Sequence, residues 1–356
     1  MMIQSSSSQR IIWNTSFTKV FQCRLPIIQA PMASVAGGKL AAEVTRAGGL
    51  GMIAMGHFDD VDKLEKEIDL YVENTKENPS IGFIGFSSLS TPAKWISYEH
   101  ILNKYKPKAV QFFAPSIVTQ EDGKSNVQLA HEYGVKFIAQ VGTYKEAKQV
   151  IEHNVDAIIC QGSEAGGHGV HRDLGNSTIA LASQISNMVD KSIPVIAAGG
   201  IVSGKQLASA LCVCDGVSIG TRYWASEESL GNAKLQQELI KHNSCDDVLR
   251  TAVFDTIQNE LSINKWPYPY SSIGALRNET TSKWDGRPDD LQLAINNTKL
   301  LDEYKLSQKA SDTTVLPTLS GEGVGEIISI EGAYDITLRI EKEAEDTIKR
   351  IQQIIS

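Results

Sequence analysis

The residues best suited to chemistry lie in one short stretch, Cys160-Gln161-Gly162-Ser163-Glu164-Ala165-Gly166-Gly167-His168-Gly169. Glycines such as Gly166 and Gly167 adopt positive φ readily and let a backbone approach a flat or anionic ligand closely. Imidazole titrates near neutrality, so His168 can take a proton from a substrate carbon or, once protonated, hold an anion. The same residues also fit a plainer reading, a tight turn with an incidental histidine. His57 and His171 are second candidates for the same role, each read first as a solvent-facing loop residue.

Two further stretches, Ala197-Ala198-Gly199-Gly200-Ile201 and Ser218-Ile219-Gly220-Thr221-Arg222, place glycine directly after a short apolar run. Backbone N–H groups exposed at such turns form anion nests, so the Gly199-Gly200 and Gly220-Thr221 turns are expected to hold a phosphate. Two tight turns without a ligand are the alternative. In Gln29-Ala30-Pro31-Met32 the small Ala30 and Pro31 leave the backbone free to lie against a planar ring. Gln140 and Gln161 end apolar runs and offer amides to the polar edge of such a ring, or are ordinary strand-end residues. Trp266, Tyr268 and Tyr270, spaced by prolines, form a stiff extended segment that either caps the pocket or packs on the surface. The five cysteines, Cys23, Cys160, Cys212, Cys214 and Cys245, lack metal-ligand spacing. They read as free thiols of a reducing compartment, and no metal site is expected.

Eight short apolar runs position these residues: 26–31, 50–54, 80–86, 109–113, 136–141, 156–161, 194–198 and 216–219. Their length and bounding turn residues suit buried parallel strands. Helical patterns alternate with them at 39–47, 59–74, 91–104, 144–153, 178–190 and 204–211. That cadence predicts an α/β fold, a (β/α)8 TIM barrel, with its site at the carboxyl ends of the strands. An open doubly wound sheet is the other candidate, but no GxGxxG follows the first strand. Residues 25–225 are read as the barrel. Residues 226–356 are read as a mostly helical capping extension or small second domain, with helices at 227–242, 289–308 and 336–355 and an extended run at 248–254. Residues 1–24 have no acidic side chain and contain four consecutive serines. They read as a flexible tail, with a weak mitochondrial transit peptide as the alternative to a cytoplasmic protein. A net charge of -8 argues against a nucleic-acid partner, and no apolar run reaches the ~18 residues of a membrane span.

Taken in order, Gln29-Ala30-Pro31-Met32, Ala47-Gly48-Gly49-Leu50-Gly51, Gln161 to His168, Ala197 to Ile201 and Ser218 to Thr221 resemble the nitronate monooxygenase family, FMN enzymes on a TIM barrel. The Glu-Ala-Gly-Gly-His core is the most specific of these segments. The resemblance implies oxidation of alkyl nitronates or nitroalkanes by O2 to carbonyl compound and nitrite. It also implies that Ala30, Pro31, Met32, Gln140, Gln161, Gly166 and Gly167 contact the flavin. Gly199, Gly200, Ser218, Ile219, Gly220 and Thr221 would bind its phosphate, and His168 would be the catalytic residue. Two departures stand out. Many members carry an asparagine at the end of strand three, where this chain has Ile81-Gly82-Phe83-Ile84-Gly85-Phe86. An Arg-Gly pair frequent after the histidine is replaced by Gly169-Val170-His171-Arg172-Asp173. NAD(P)H-dependent flavin reductases of the quinone reductase or enoyl-ACP reductase type share this build, and a non-redox phosphate-binding barrel is a third reading.

Overall fold

The computed structural model describes residues 11–56, 60–262 and 265–355. Its strands are β1 (Ile27–Gln29), β2 (Ile53–Gly56), β3 (Ser80–Ile84), β4 (Ala109–Phe113), β5 (Lys136–Val141), β6 (Ala157–Gln161), β7 (Gly167–Gly169), β8 (Val195–Ala198), β9 (Gly216–Ile219), β10 (Val248–Thr251) and β11 (Ser272–Leu276). Eight of them form one parallel sheet in the order β1-β9-β8-β6-β5-β4-β3-β2. The sheet closes on itself beside Leu50. The N–H of Leu50 donates to the carbonyl of Ile27 at 2.8 Å, and the N–H of Gln29 donates to the carbonyl of Leu50 at 3.0 Å. The result is the expected (β/α)8 barrel. Its strands are buried on both faces, which is why they read as unbroken apolar runs.

Helices fall between the strands largely where the apolar spacing places them. Two escaped that reading: the one-turn helix Gly85–Ser88 takes the end of the run expected as strand at 80–86, and Asn126–Glu132, between β4 and β5, is too short to show a periodic stripe. It is marked instead by a capping box, in which Ser125 accepts from the N–H of Gln128 while the Gln128 side chain accepts from the N–H of Ser125. The run expected at 289–308 is two helices, Pro288–Asn296 and Lys299–Ala310, broken where Thr298 takes φ 58°. Of the run expected at 227–242, only Ala233–Leu239 is helical.

The expected flexible tail over 1–24 needs correction. Residues 1–10 lie outside the described residues, but Ser16–Phe21 is a helix started by a Thr15 capping box. Phe17 and Phe21 are completely buried. They pack with Ile28, Leu50, Ala109, Ile138, Ala157, Ile159 and Ile196 inside the barrel. Ala109 and Ala157 open their strands, so this helix seals the amino-terminal mouth, where inward apolar side chains would otherwise meet water.

The chain beyond the eighth barrel strand returns twice. β10 and β11 pair antiparallel with each other, and β11 pairs with β7, giving a second sheet in the order β10-β11-β7. The long helix Ala333–Ile355 packs on the helices Gly204–Ala210 and Gly38–Arg46. A Cβ at Gly204 would collide with the backbone of Ile340 and Ala344, so glycine there is what permits the close approach. Among the described residues, no helix is long and apolar enough to cross a membrane.

The seal at the barrel's base sets a stability expectation. Phe17→Ala leaves a cavity at a fully buried site and should destabilise the protein by about 3–5 kcal/mol. A marked drop in the thermal or urea unfolding midpoint checks this; an unchanged midpoint would mean that the helix is dispensable to the barrel.

Candidate active site

The carboxyl ends of the barrel strands open into a cavity of about 260 Å³. Of the residues singled out from sequence, Ala30, Pro31, Met32, Gln140, Gln161, Gly166, Gly167, His168, Gly199, Gly200, Ser218, Gly220 and Thr221 all line it. Ile219 does not. Its side chain is fully buried in the core, and its carbonyl accepts from the N–H of Ala30 at 2.9 Å. Arg222 also turns away from the cavity, donating from Nη2 to the carbonyls of Ala225 (2.7 Å) and Ser329 (2.6 Å). His171 stands outside it, with Nδ1 3.3 Å from a carboxylate oxygen of Asp173. His57 lies outside the described residues. Among the described lining residues His168 is the single titratable side chain.

The three aromatic residues of the proline-spaced segment separate. Trp266 lines the cavity. Tyr268 is 73% exposed. Tyr270 is buried behind the wall, where its hydroxyl donates to Glu146 Oε1 and its ring meets Phe113 edge-on. Burial, together with the Glu146 charge, pushes the Tyr270 phenol far above its ordinary value.

The polar wall is a row of amides on three consecutive strands. Gln111 Nε2 (β4) donates to Gln140 Oε1 (β5) at 2.6 Å, and Gln140 Nε2 donates to Gln161 Oε1 (β6) at 3.1 Å. Gln161 Nε2 then donates to the carbonyl of His168 at 2.8 Å. The relay leaves Gln111 Oε1 buried with no donor among the described residues. Gln111 was not among the residues expected from sequence, yet a glutamine centred in Ala-Val-Gln-Phe-Phe was the available signal. A polar side chain inside a buried strand must find partners. At the position of the family asparagine, Gly82, Phe83 and Ile84 line the cavity instead. A Cβ at Gly82 would collide with the Pro31 ring.

Next to the amides around the barrel, the glycine turns after β8 and β9 present backbone. Gly199 and Gly200 have φ of 129° and 69°, values that favour glycine. Their N–H groups, and that of Gly220, have no protein acceptor among the described residues. Gly199 is required by the fold as well, since a Cβ there would lie 2.6 Å from Thr178 Oγ1 and 2.9 Å from the N of Ala165. Gly220 is different: a Cβ would meet nothing closer than Met32 Sδ at 3.5 Å.

His168 is held from three sides. Its backbone belongs to β7, where it pairs with Ile273 of β11. Its ring lies flat against Trp266, with centroids 3.7 Å apart and planes 10° off parallel. Its Nε2 is 2.7 Å from Oδ1 of Asp255, a residue only 2% exposed. The loop before it is clamped by Arg250 of β10. The guanidinium donates to the carbonyls of Ser163 (Nε, 3.2 Å), Ala165 (Nη2, 2.6 Å), Gly167 (Nη1, 3.5 Å) and Ser272 (Nη1, 3.2 Å). Burial pulls that guanidinium down to about 10, with the nearby Asp255 charge acting the other way. A Cβ at Gly169 would stand 2.7 Å from Arg250 Nη1. That glycine therefore serves the clamp and not a ligand. Neither Arg250 nor Asp255 carries a local sequence signal, because both act across a fold contact roughly 85 residues long.

Comparison with known proteins bears on the family and the fold. The family profile described as nitronate monooxygenase matches residues 14–266. A nitronate monooxygenase of Neurospora crassa is 29% identical, with 92% of this chain and 90% of the relative aligned. Among solved structures, FabK from Thermotoga maritima superposes with a TM-score of 0.72 at 26% identity, covering 96% of this chain and 99% of its own. A nitroalkane oxidase from Streptomyces ansochromogenes gives a TM-score of 0.73 at 24% identity, covering 95% and 100%, a likeness of fold. With the profile spanning the barrel, the His168 loop and the Arg250–Asp255 segment, the chain belongs to the nitronate monooxygenase family of oxidoreductases.

Proposed function

We propose that this chain binds FMN and oxidises alkyl nitronates with O2 to a carbonyl compound and nitrite, accepting nitroalkanes once their α-proton is removed. The observation that carries this reading is the cavity's composition: among the described residues, one titratable side chain, His168, stands among apolar side chains, amides and glycine backbone. The residues present suit FMN. Free N–H groups at Gly199, Gly200 and Gly220 would take a single phosphate without a cationic side chain. The open Gln111 Oε1 would accept from a ring N–H, and Gln140 and Gln161 extend that polar edge. Ala30 and Pro31 offer a flat, small surface for the ring.

When bound, FMN supplies the redox chemistry, taking electrons from the nitronate and passing them to O2. The protein handles the proton. The His168 imidazole takes the proton from the α-carbon of a nitroalkane. The C–H pair becomes the C=N bond of the nitronate, and the negative charge settles on the nitro oxygens. The imidazolium so formed then attracts that anion at short range in an apolar-lined cavity. Trp266, stacked flat on the imidazole, keeps that ring in place.

Three outcomes are expected. The purified protein should show a flavin absorption spectrum, with FMN as the released mass. FAD, a protein that stays colourless with added FMN, or rapid anaerobic bleaching by NADH would each sink this reading, the last in favour of an NAD(P)H-dependent reductase. Gly220→Val should lower FMN occupancy at nearly unchanged unfolding midpoint, because its side chain has room in the protein but enters the cavity. His168→Asn should slow neutral nitroalkanes by about 10²-fold or more, as for other general bases. Pre-formed nitronates have already lost the proton and should slow far less; equal losses for both would assign His168 to anion binding.

A further inference from the structure

We propose that Asp255 is the positioning residue for His168, and that Nδ1 is the ring nitrogen that meets the substrate. This rests on the proton-transfer reading above and adds to it the atom and the residue that sets it.

Each ring nitrogen of a histidine can carry a proton or a lone pair, and the partner of one decides the state of the other. His168 Nε2 sits 2.7 Å from Asp255 Oδ1. An ionised carboxylate only accepts hydrogen bonds, so Nε2 must carry the proton and Nδ1 the lone pair. Among the described residues Nδ1 has no protein partner, while the His168 side chain lines the cavity. A flip of the ring would put the carbon Cε1 where Nε2 now meets Asp255 Oδ1, so that bond fixes which edge of the imidazole faces the cavity.

Asp255 faces one permanent cation, the nearby Arg250 guanidinium, and one ring whose charge varies. It is buried, and its Oδ2 has no donor among the described residues. A carboxylate left so poorly paired is costly in the resting protein. That cost falls when the partner ring becomes a cation, because the pair then attracts across a few ångströms of low-dielectric surroundings. The proton-transfer step creates that cation. Nδ1 takes the proton of the α-carbon, the bonding pair stays on the substrate as the nitronate, and Asp255 remains ionised throughout while accepting from Nε2. Asp255 is not among the residues that line the cavity, so it acts only through His168. Its own place is set by the short helix Val253–Gln258 that follows β10, the strand whose Arg250 clamps the loop bearing His168.

The test uses the full-length protein with its flavin, with nitroethane and its pre-formed anion as paired substrates. Asp255→Asn can donate to Nε2 and so trap the wrong tautomer. The turnover number for nitroethane should fall by about 10²-fold. KM, flavin affinity and turnover of the anion should stay near those of the parent. A parental ratio of the two turnover numbers in a folded, flavin-loaded Asp255→Asn protein would overturn the proposal. The second measurement needs no variant at Asp255. Ring 15N spectra in alkaline buffer, with the His168 signal identified by its loss in His168→Gln, should show the proton on Nε2. A proton on Nδ1 would overturn the assignment. Should the parent turn over neither substrate, the functional reading fails, yet the tautomer measurement still decides the role of Asp255.

Discussion

The site depends on one enclosed cation that pairs with carbonyls. Arg250 spends its N–H groups on the carbonyls of Ser163, Ala165, Gly167 and Ser272. A guanidinium offers five donors in a rigid planar fork, so one side chain can fix several turns of backbone at once. The glycine loop after β6 would otherwise be the most mobile part of the barrel's upper face, since glycine gives up the most freedom on ordering. Around the clamp the other constraints fall into place. Gly169 must lack a side chain to admit the guanidinium, and Gly274 must lack one because Ala165 and Gly166 pass directly over it. Gly166 is held in the same way by Ser320 on its far side. Glycines that look ligand-directed in sequence are therefore partly directed at the protein's own backbone.

A second feature is how little charge faces the cavity. Among the described residues its polar side chains are three amides, the hydroxyls of Ser218 and Thr221, the indoles of Trp224 and Trp266, and His168, beside free backbone N–H groups. Neutral donors can solvate a phosphate or a ring edge without attracting other anions from solution. Among the described residues they leave His168 as the one side chain in the wall whose charge can vary. Under the proposed function, an anionic substrate would meet positive charge only there.

The barrel itself is held at its two ends by chain from outside it. The helix Ser16–Phe21 fills the base with Phe17 and Phe21. The sheet β10-β11-β7 covers part of the opposite end and carries His168 on its edge strand. The helix Ala333–Ile355 binds the outer helices on one side, with Ile336, Ile340 and Ala344 buried against them. Such an arrangement lets the eight strands stay short, because neither mouth has to be closed by the strands' own side chains.

What the sequence determined by itself was local. Eight apolar runs with turn residues at their ends name the barrel, because a strand buried on both faces has no choice but to be apolar throughout. Glycine turns after the seventh and eighth runs, and Glu-Ala-Gly-Gly-His after the sixth, place the cavity's floor and its histidine, because the carboxyl ends of barrel strands converge. Tertiary structure alone decided what holds them. Phe17 looks like part of a tail until the barrel's base is assembled above it. Gln111 becomes a site residue only when β4 lies beside β5 and aligns three amides. Arg250 and Asp255 sit in an ordinary stretch of sequence and reach His168 only because β11 pairs with β7. Periodicity reports which face of an element is buried; it carries no information on which distant side chain will satisfy a carbonyl or a ring nitrogen, since that pairing is made through space and not along the chain.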